Sequence, residues 1–182
     1  MAVIEAIATT YLEADAASVE FASIPTTYEH LQLRMNIASD STISDGVYRE
    51  WGFVYFNTST ATTNSDYAHH TMLGRATSTS AGGTSPAHHI VIQWIGGTSL
   101  GVAHFGSCQV DILDYRNASK NTTTSSPAGS IGPGTGSSET AVGFNSGLWD
   151  NVAAVDKILL IPDLGSNWRR GSEFTLYGLN DS

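Results

Sequence analysis

Six histidines, a single cysteine, four tryptophans and a pair of nearby aspartates are the side chains of this 182-residue sequence best equipped for chemistry. His69-His70 and His88-His89 stand out, with His30 and His104 set apart from them. Adjacent residues on a strand point to opposite faces, so neither pair can close on one ion through both imidazoles. No His-x-His, no His-Glu-x-x-His and no carboxylate at ligand spacing accompanies them, and we expect no metal site and no cofactor. Their expected place is the surface or a subunit interface, with stacking at a symmetry axis. Cys108 sits in an alternating pattern near Phe105 and Val110 and reads as a small buried hydrophobe rather than a nucleophile. Serine and threonine are abundant, yet no Gly-x-Ser-x-Gly elbow joins a strand to a helix, and the Gly-rich segment from Ser130 to Ser138 lacks the lysine and helix of a phosphate-binding loop. Asp111 and Asp114 flank a strand without the apolar shielding that would raise one carboxyl group into an acid's role. We therefore expect no catalytic residue and no enzyme.

Trp149 and Trp168 are the candidate contact residues. Each stands among polar neighbours, Trp149 before Asp150-Asn151 and Trp168 between Asn167 and Arg169-Arg170, a setting that could present an indole to a sugar ring or to a partner subunit. The alternative is that each caps one open end of the fold. Trp94 lies in an apolar run and is expected in the core.

These side chains must be held by strands. From Glu29 to Ala38, Leu31, Leu33, Met35 and Ile37 alternate with Gln32, Arg34 and Asn36, the period of a half-buried strand. Val19 and Phe21 flank Glu20 in the same way, and Ile24-Pro25 breaks the run because proline cannot donate to a ladder. The stretches Val47 to Asn57, Ile90 to Ile95, Cys108 to Ile112, Ile158 to Ile161 and Phe174 to Leu179 also read as strands. Val3, Ile4, Ile7, Ala8, Tyr11 and Leu12 would fit one helical face, but Thr9-Thr10-Tyr11 favours a strand. Residues 117–138, rich in Thr, Ser, Gly and Pro, read as a long exposed polar loop and as the segment most expected to reach a neighbouring subunit. Thr58 to Ser65 reads as a second loop. Nine or ten short strands with almost no helix predict one all-β domain over residues 1–182, an antiparallel two-sheet β-sandwich of jelly-roll type.

Composition narrows the function. Eight Lys plus Arg against 17 Asp plus Glu give a formal charge of −9, which opposes docking on a phosphate backbone, so no nucleic acid partner is expected. No apolar run approaches the ~20 residues that span a bilayer, and the first residues lack a basic flank followed by an apolar stretch. The sequence thus predicts a soluble, unprocessed chain with no membrane partner.

Several segments are more specific. Ala17-Ser18-Val19-Glu20-Phe21-Ala22-Ser23-Ile24-Pro25-Thr26-Thr27-Tyr28-Glu29-His30-Leu31-Gln32-Leu33 joins two strands through an Ile-Pro-x-x-Tyr corner. Val110-Asp111-Ile112-Leu113-Asp114-Tyr115 with Lys120, then Ile158-Leu159-Leu160, then Gly171-Ser172-Glu173-Phe174-Thr175-Leu176-Tyr177-Gly178-Leu179 follow in order. This succession, from about Ile4 to Leu179, resembles a group of tailed-bacteriophage virion structural proteins. The resemblance implies a compact β-sandwich assembled as a homotrimer or larger ring, serving as a capsid decoration (cement) protein on the major capsid protein or as a tail-fibre-tip or baseplate domain. No attachment domain and no heptad or collagen-like shaft is expected, which favours the head surface of a virion assembled in the host cytoplasm. The competing expectations are a receptor-binding module that recognises host-surface glycans through Trp149 and Trp168, and a hydrolase of surface polysaccharide.

Overall fold

The computed structural model describes residues 3–42, 50–57, 65–75, 78–97, 104–131 and 140–180. The alternation that predicts the strand at Glu29 to Ala38 is realised as β3 (His30–Ser39), whose Leu31, Leu33, Met35 and Ile37 are all buried. Its antiparallel neighbours are β9 (Gly106–Leu113), through pairs such as Leu33 with Val110, and β13 (Glu173–Asn180), through pairs such as Leu33 with Leu176. The N-terminal ambiguity resolves as β1 (Val3–Tyr11), which pairs with β13. Beyond β9 the sheet continues through β10 (Thr122–Ile131), β11 (Thr140–Trp149), β5 (Tyr67–Arg75) and β6 (Ser78–Ala87), in the order β1-β13-β3-β9-β10-β11-β5-β6. A two-residue strand, β8 (Gly96–Gly97), pairs in parallel with the end of β3.

The second sheet has four strands in the order β2-β12-β4-β7: β2 (Val19–Phe21), β12 (Ile158–Pro162), β4 (Trp51–Phe56) and β7 (Ile90–Gln93). The protein is thus all-β, two sheets packed as a sandwich, and the described residues include no helix. Apolar side chains from both inner faces form the main core, among them Leu33, Val110, Phe174, Val54, Ile92 and Leu160.

The polar segment 117–138 departs from its expected form. Residues 122–131 are not a loop but β10, paired on one side with β9 and on the other along its whole length with β11. Thr122, Thr124, Ser126, Ala128 and Ser130 point inward and are buried, so small and hydroxylated residues occupy positions where an apolar alternation would have announced a strand. Residues 132–138, residues 58–64 of the loop expected at Thr58 to Ser65, and Val47 to Arg49 lie outside the described residues.

One side chain ties the two sheets together. Trp168 bridges Ala16 and Ser39 through its backbone, its indole N–H donates to the Leu160 carbonyl at 3.0 Å, and its ring meets Phe174 edge-on at 5.5 Å. The polar connection before it is clamped by two carboxylates. Glu50, buried, accepts backbone N–H bonds from Asp163, Leu164 and Gly165, while Asp40 accepts those of Ser166 and Asn167. Because Trp168 touches both sheets and is sealed from water, Trp168→Ala is expected to cost about 3–5 kcal/mol in urea unfolding. A loss under about 1 kcal/mol would show that the tryptophan does not hold the sheets.

Candidate interaction surface

β11 is built inside out. Its inward positions are Ala141, Gly143, Asn145, Gly147 and Trp149, and its outward positions include Val142 and Phe144. The cause is the close approach of β7 and the residue after it. A Cβ on Gly147 would stand 2.5 Å from Thr124 Oγ1 and 3.0 Å from Ile90 Cγ2, and one on Gly143 would stand 3.3 Å from both Gln93 Oε1 and Trp94 Cδ1. Trp94 leaves β7 with a φ of 62°, a strained setting for a bulky residue, and the Arg75 guanidinium lies 5.8 Å from the centre of its ring. Side chains are excluded from the inner face at Gly143 and Gly147; Trp149, at the strand's end, is the large side chain that packs inward, while Val142 and Phe144 stand on the outer face.

Cross-strand register gathers them. Phe144 pairs with Met72 on one side and Pro127 on the other, and Val142 with Gly74 and Gly129. Met72 is 62% exposed, Val142 63%, Phe144 46% and Ile131, farther along β10, 70%. The two glycines leave Val142 standing between hollows lined by Thr79, Ser80 and Ala81 of the β6 side and by Gly129 and Ile131 of the β10 side. Nine of the ten residues of β6 are exposed, so neither face of that strand is covered by the other described residues.

Charge divides the large sheet the same way. None of the residues of β5, β6, β10 and β11 is Asp or Glu, and Arg75 is their one permanent charge, in a chain of net charge −9. Elsewhere on the same sheet, β13, β3 and β9 carry a polar network. Gln32 donates to Asp111 at 2.7 Å, Gln109 donates to the same carboxylate, Arg34 donates to Gln32, and the Arg34 guanidinium lies 5.1 Å from the centre of the Tyr177 ring. An apolar, acid-free face beside a charged one has the composition of a protein contact surface.

The residues singled out from sequence are distributed differently from expectation. Trp149 is 3% exposed and stacks in the core with Tyr67, its ring 5.6 Å from Phe56; Trp168 is 0% exposed. Both indoles are sealed in the interior and present no face to a sugar, Trp149 as an inward position of β11 and Trp168 by its packing between the two sheets. Cys108 is buried, and burial pushes its thiol up to about 12. Asp111 is held by glutamine donors and Asp114 pairs with Lys120, whose hydrogen bond draws that carboxyl below its usual value. One histidine of each pair meets the other: His69 and His89 stack at 6.2 Å, and His89 lies 3.6 Å from the Phe53 ring, while His70 and His88 face solvent. Burial lowers the pKa of both stacked rings, that of His89 to about 4. No group of three or more metal-ligating side chains occurs among the described residues. Met72, Ile131, Val142 and Phe144 were not legible as a site from their own types, but the sequence does carry a signal: no Asp or Glu stands between Tyr67 and Val110, nor between Tyr115 and Ser138.

Two measurements probe this region. Gly147→Ala is expected to destabilise the fold by about 1–3 kcal/mol through overpacking against Ile90 and Thr124, read by thermal or urea unfolding, and a neutral change would contradict the tight β7–β11 contact. His89 binds its proton at about pH 4 in the folded chain but near 6.5 when unfolded. The unfolded state therefore holds more protons in that window, and the stability present above pH 6.5 is lost as pH falls toward 4. The part-exposed ring limits the effect to roughly 1–2 kcal/mol. His89→Phe is expected to flatten that slope, and an unchanged slope would assign it elsewhere. No family model, no curated protein and no solved structure matches this chain.

Proposed function

We propose that the chain is a non-enzymatic structural protein of a tailed-bacteriophage particle: a homotrimeric capsid decoration (cement) protein, of jelly-roll type, that sits on the head and stabilises the shell of major capsid protein. The observation that carries this reading is the exposed, acid-free apolar face of β10, β11 and β5, which suits lasting contact with protein. The resemblance of the Ile-Pro-x-x-Tyr corner and the Leu-Tyr-Gly terminus to virion proteins supplies the phage context. A broad sheet face favours side-by-side packing, as on a shell, over recognition by loop tips at the end of a fibre. The jelly-roll description is supported by the way the chain alternates between sheets, at β2 to β3, β3 to β4, β11 to β12 and β12 to β13.

The receptor-binding alternative loses the residues that motivated it, since Trp149 and Trp168 are both interior. Folding linked to assembly would add stability by mass action, which suits a repeated shell component. Copy number in purified particles, from a stained gel, tests the reading. Hundreds of copies per particle are expected; a few to a few dozen would move the protein to the tail, and none would remove it from the virion.

A further inference from the structure

We propose that the half-sheet β10-β11-β5-β6 is the docking surface for a second copy of this chain, with Val142, Phe144 and Met72 at the centre of the contact. Charge selects the occupant. A basic partner would be met best by one of the many carboxylates this chain carries, and the half-sheet has none. A second copy brings −9 of its own, so two copies can approach closely only where neither presents acid. The described strands that lack Asp and Glu and expose large apolar side chains in one cross-strand row are these.

Size and shape agree. Four strands ~4.8 Å apart and nine or ten residues long at ~3.3 Å each give roughly 600 Å² per copy in projection, or about 1,200 Å² for a pair, above the ~1,000 Å² that a specific interface needs. The anchors are aromatic, aliphatic and thioether side chains ringed by Ser, Thr and Gly, an apolar centre with a polar rim. β6 adds a second feature. Among the described residues it ends the sheet, ten residues without a charge, and apart from Pro86 near its end it lacks the lysine or inward charge that ordinarily blocks pairing of exposed edges. A neighbouring copy would cover a strand whose faces no other described residue of its own chain covers. The inference deepens the homotrimer of the proposed function by naming the surface, and rests on that reading only for the number of copies.

The test is sedimentation of the full chain at about 1 to 100 µM, for the wild type, for a Val142→Glu plus Phe144→Glu variant, and for Val152→Glu as a control on an exposed residue outside the half-sheet. The wild type and the control are expected to associate alike. The double variant, folded by circular dichroism, is expected to associate at least about 100-fold more weakly. A wild type that stays monomeric at about 100 µM, or a double variant that sediments like the wild type, overturns the proposal. If the double variant does not fold, amide exchange of the wild type at the two concentration limits decides: slower exchange in β6 at the higher limit is expected, and identical exchange overturns the proposal. A monomeric protein still present at hundreds of copies per particle would overturn this inference and leave the virion assignment standing. An oligomer not found in particles would do the reverse.

Discussion

The approach of β7 and Trp94 to β11 is the constraint from which the surface of this protein follows. At Gly143 and Gly147 the two sheets come so close that a single added carbon would touch Gln93, Trp94 or Ile90, and at Gly147 also Thr124 of the neighbouring strand. At those two positions β11 cannot carry a side chain inward, and its large inward residue, Trp149, stands at the strand's end. Its Val142 and Phe144 therefore face out, reversing the usual arrangement of a half-buried strand. Trp94 is held at a positive φ in the same contact, a local cost that the surrounding packing must sustain.

The unequal size of the sheets extends the effect. Under β3, β9 and β13 the interior is aliphatic and aromatic; under β10 and β11 it turns to Thr122, Thr124, Ser126 and Asn145, whose polar side-chain atoms are buried with no partner among the described residues. Such groups are ordinarily met by ordered water. At β6 the other described residues offer almost no cover. From β9 through β10 and β11 to β5, apolar surface thus moves from the inside of the sandwich to the outside and carboxylates vanish, while at the opposite edge β1 also exposes Val3, Ile4 and Tyr11. A chain so arranged has one face suited to water and one suited to protein.

What the sequence reveals follows the same gradient. β3, β9, β12 and β13 are legible because Leu33, Val110, Leu160 and Phe174 recur at the strand period or in a short buried run. β10 is illegible because its inward positions are threonine and serine, and its Ser, Thr, Pro and Gly content is also that of a loop. β5 and β6 escape notice because neither face is fully buried, so no alternation is imposed on them. For the tryptophans, polar neighbours in sequence misdirect: Asn167 and Arg169 flank Trp168 yet leave it wholly interior. In both histidine pairs one ring is packed and one faces solvent, for His69-His70 by the parity of β5 and for His88-His89 in the bend between β6 and β7. The contact face was legible only as an absence, the missing Asp and Glu of Tyr67 to Val110, and an absence acquires meaning once the sheet order places β5 beside β11 and β10.

Hydroxyl-radical footprinting of Met72 and Phe144 across protein concentration tests most directly whether the reversed strand serves contact between chains. Both side chains are exposed in the single chain, Met72 with a readily oxidised thioether, while Met35 is buried and serves as the internal reference. Oxidation of Met72 and Phe144 is predicted to fall together as the protein is concentrated, with Met35 protected throughout. Unchanged oxidation of both residues at every concentration would contradict the account, because the face left open by the β7–β11 contact would then remain in water.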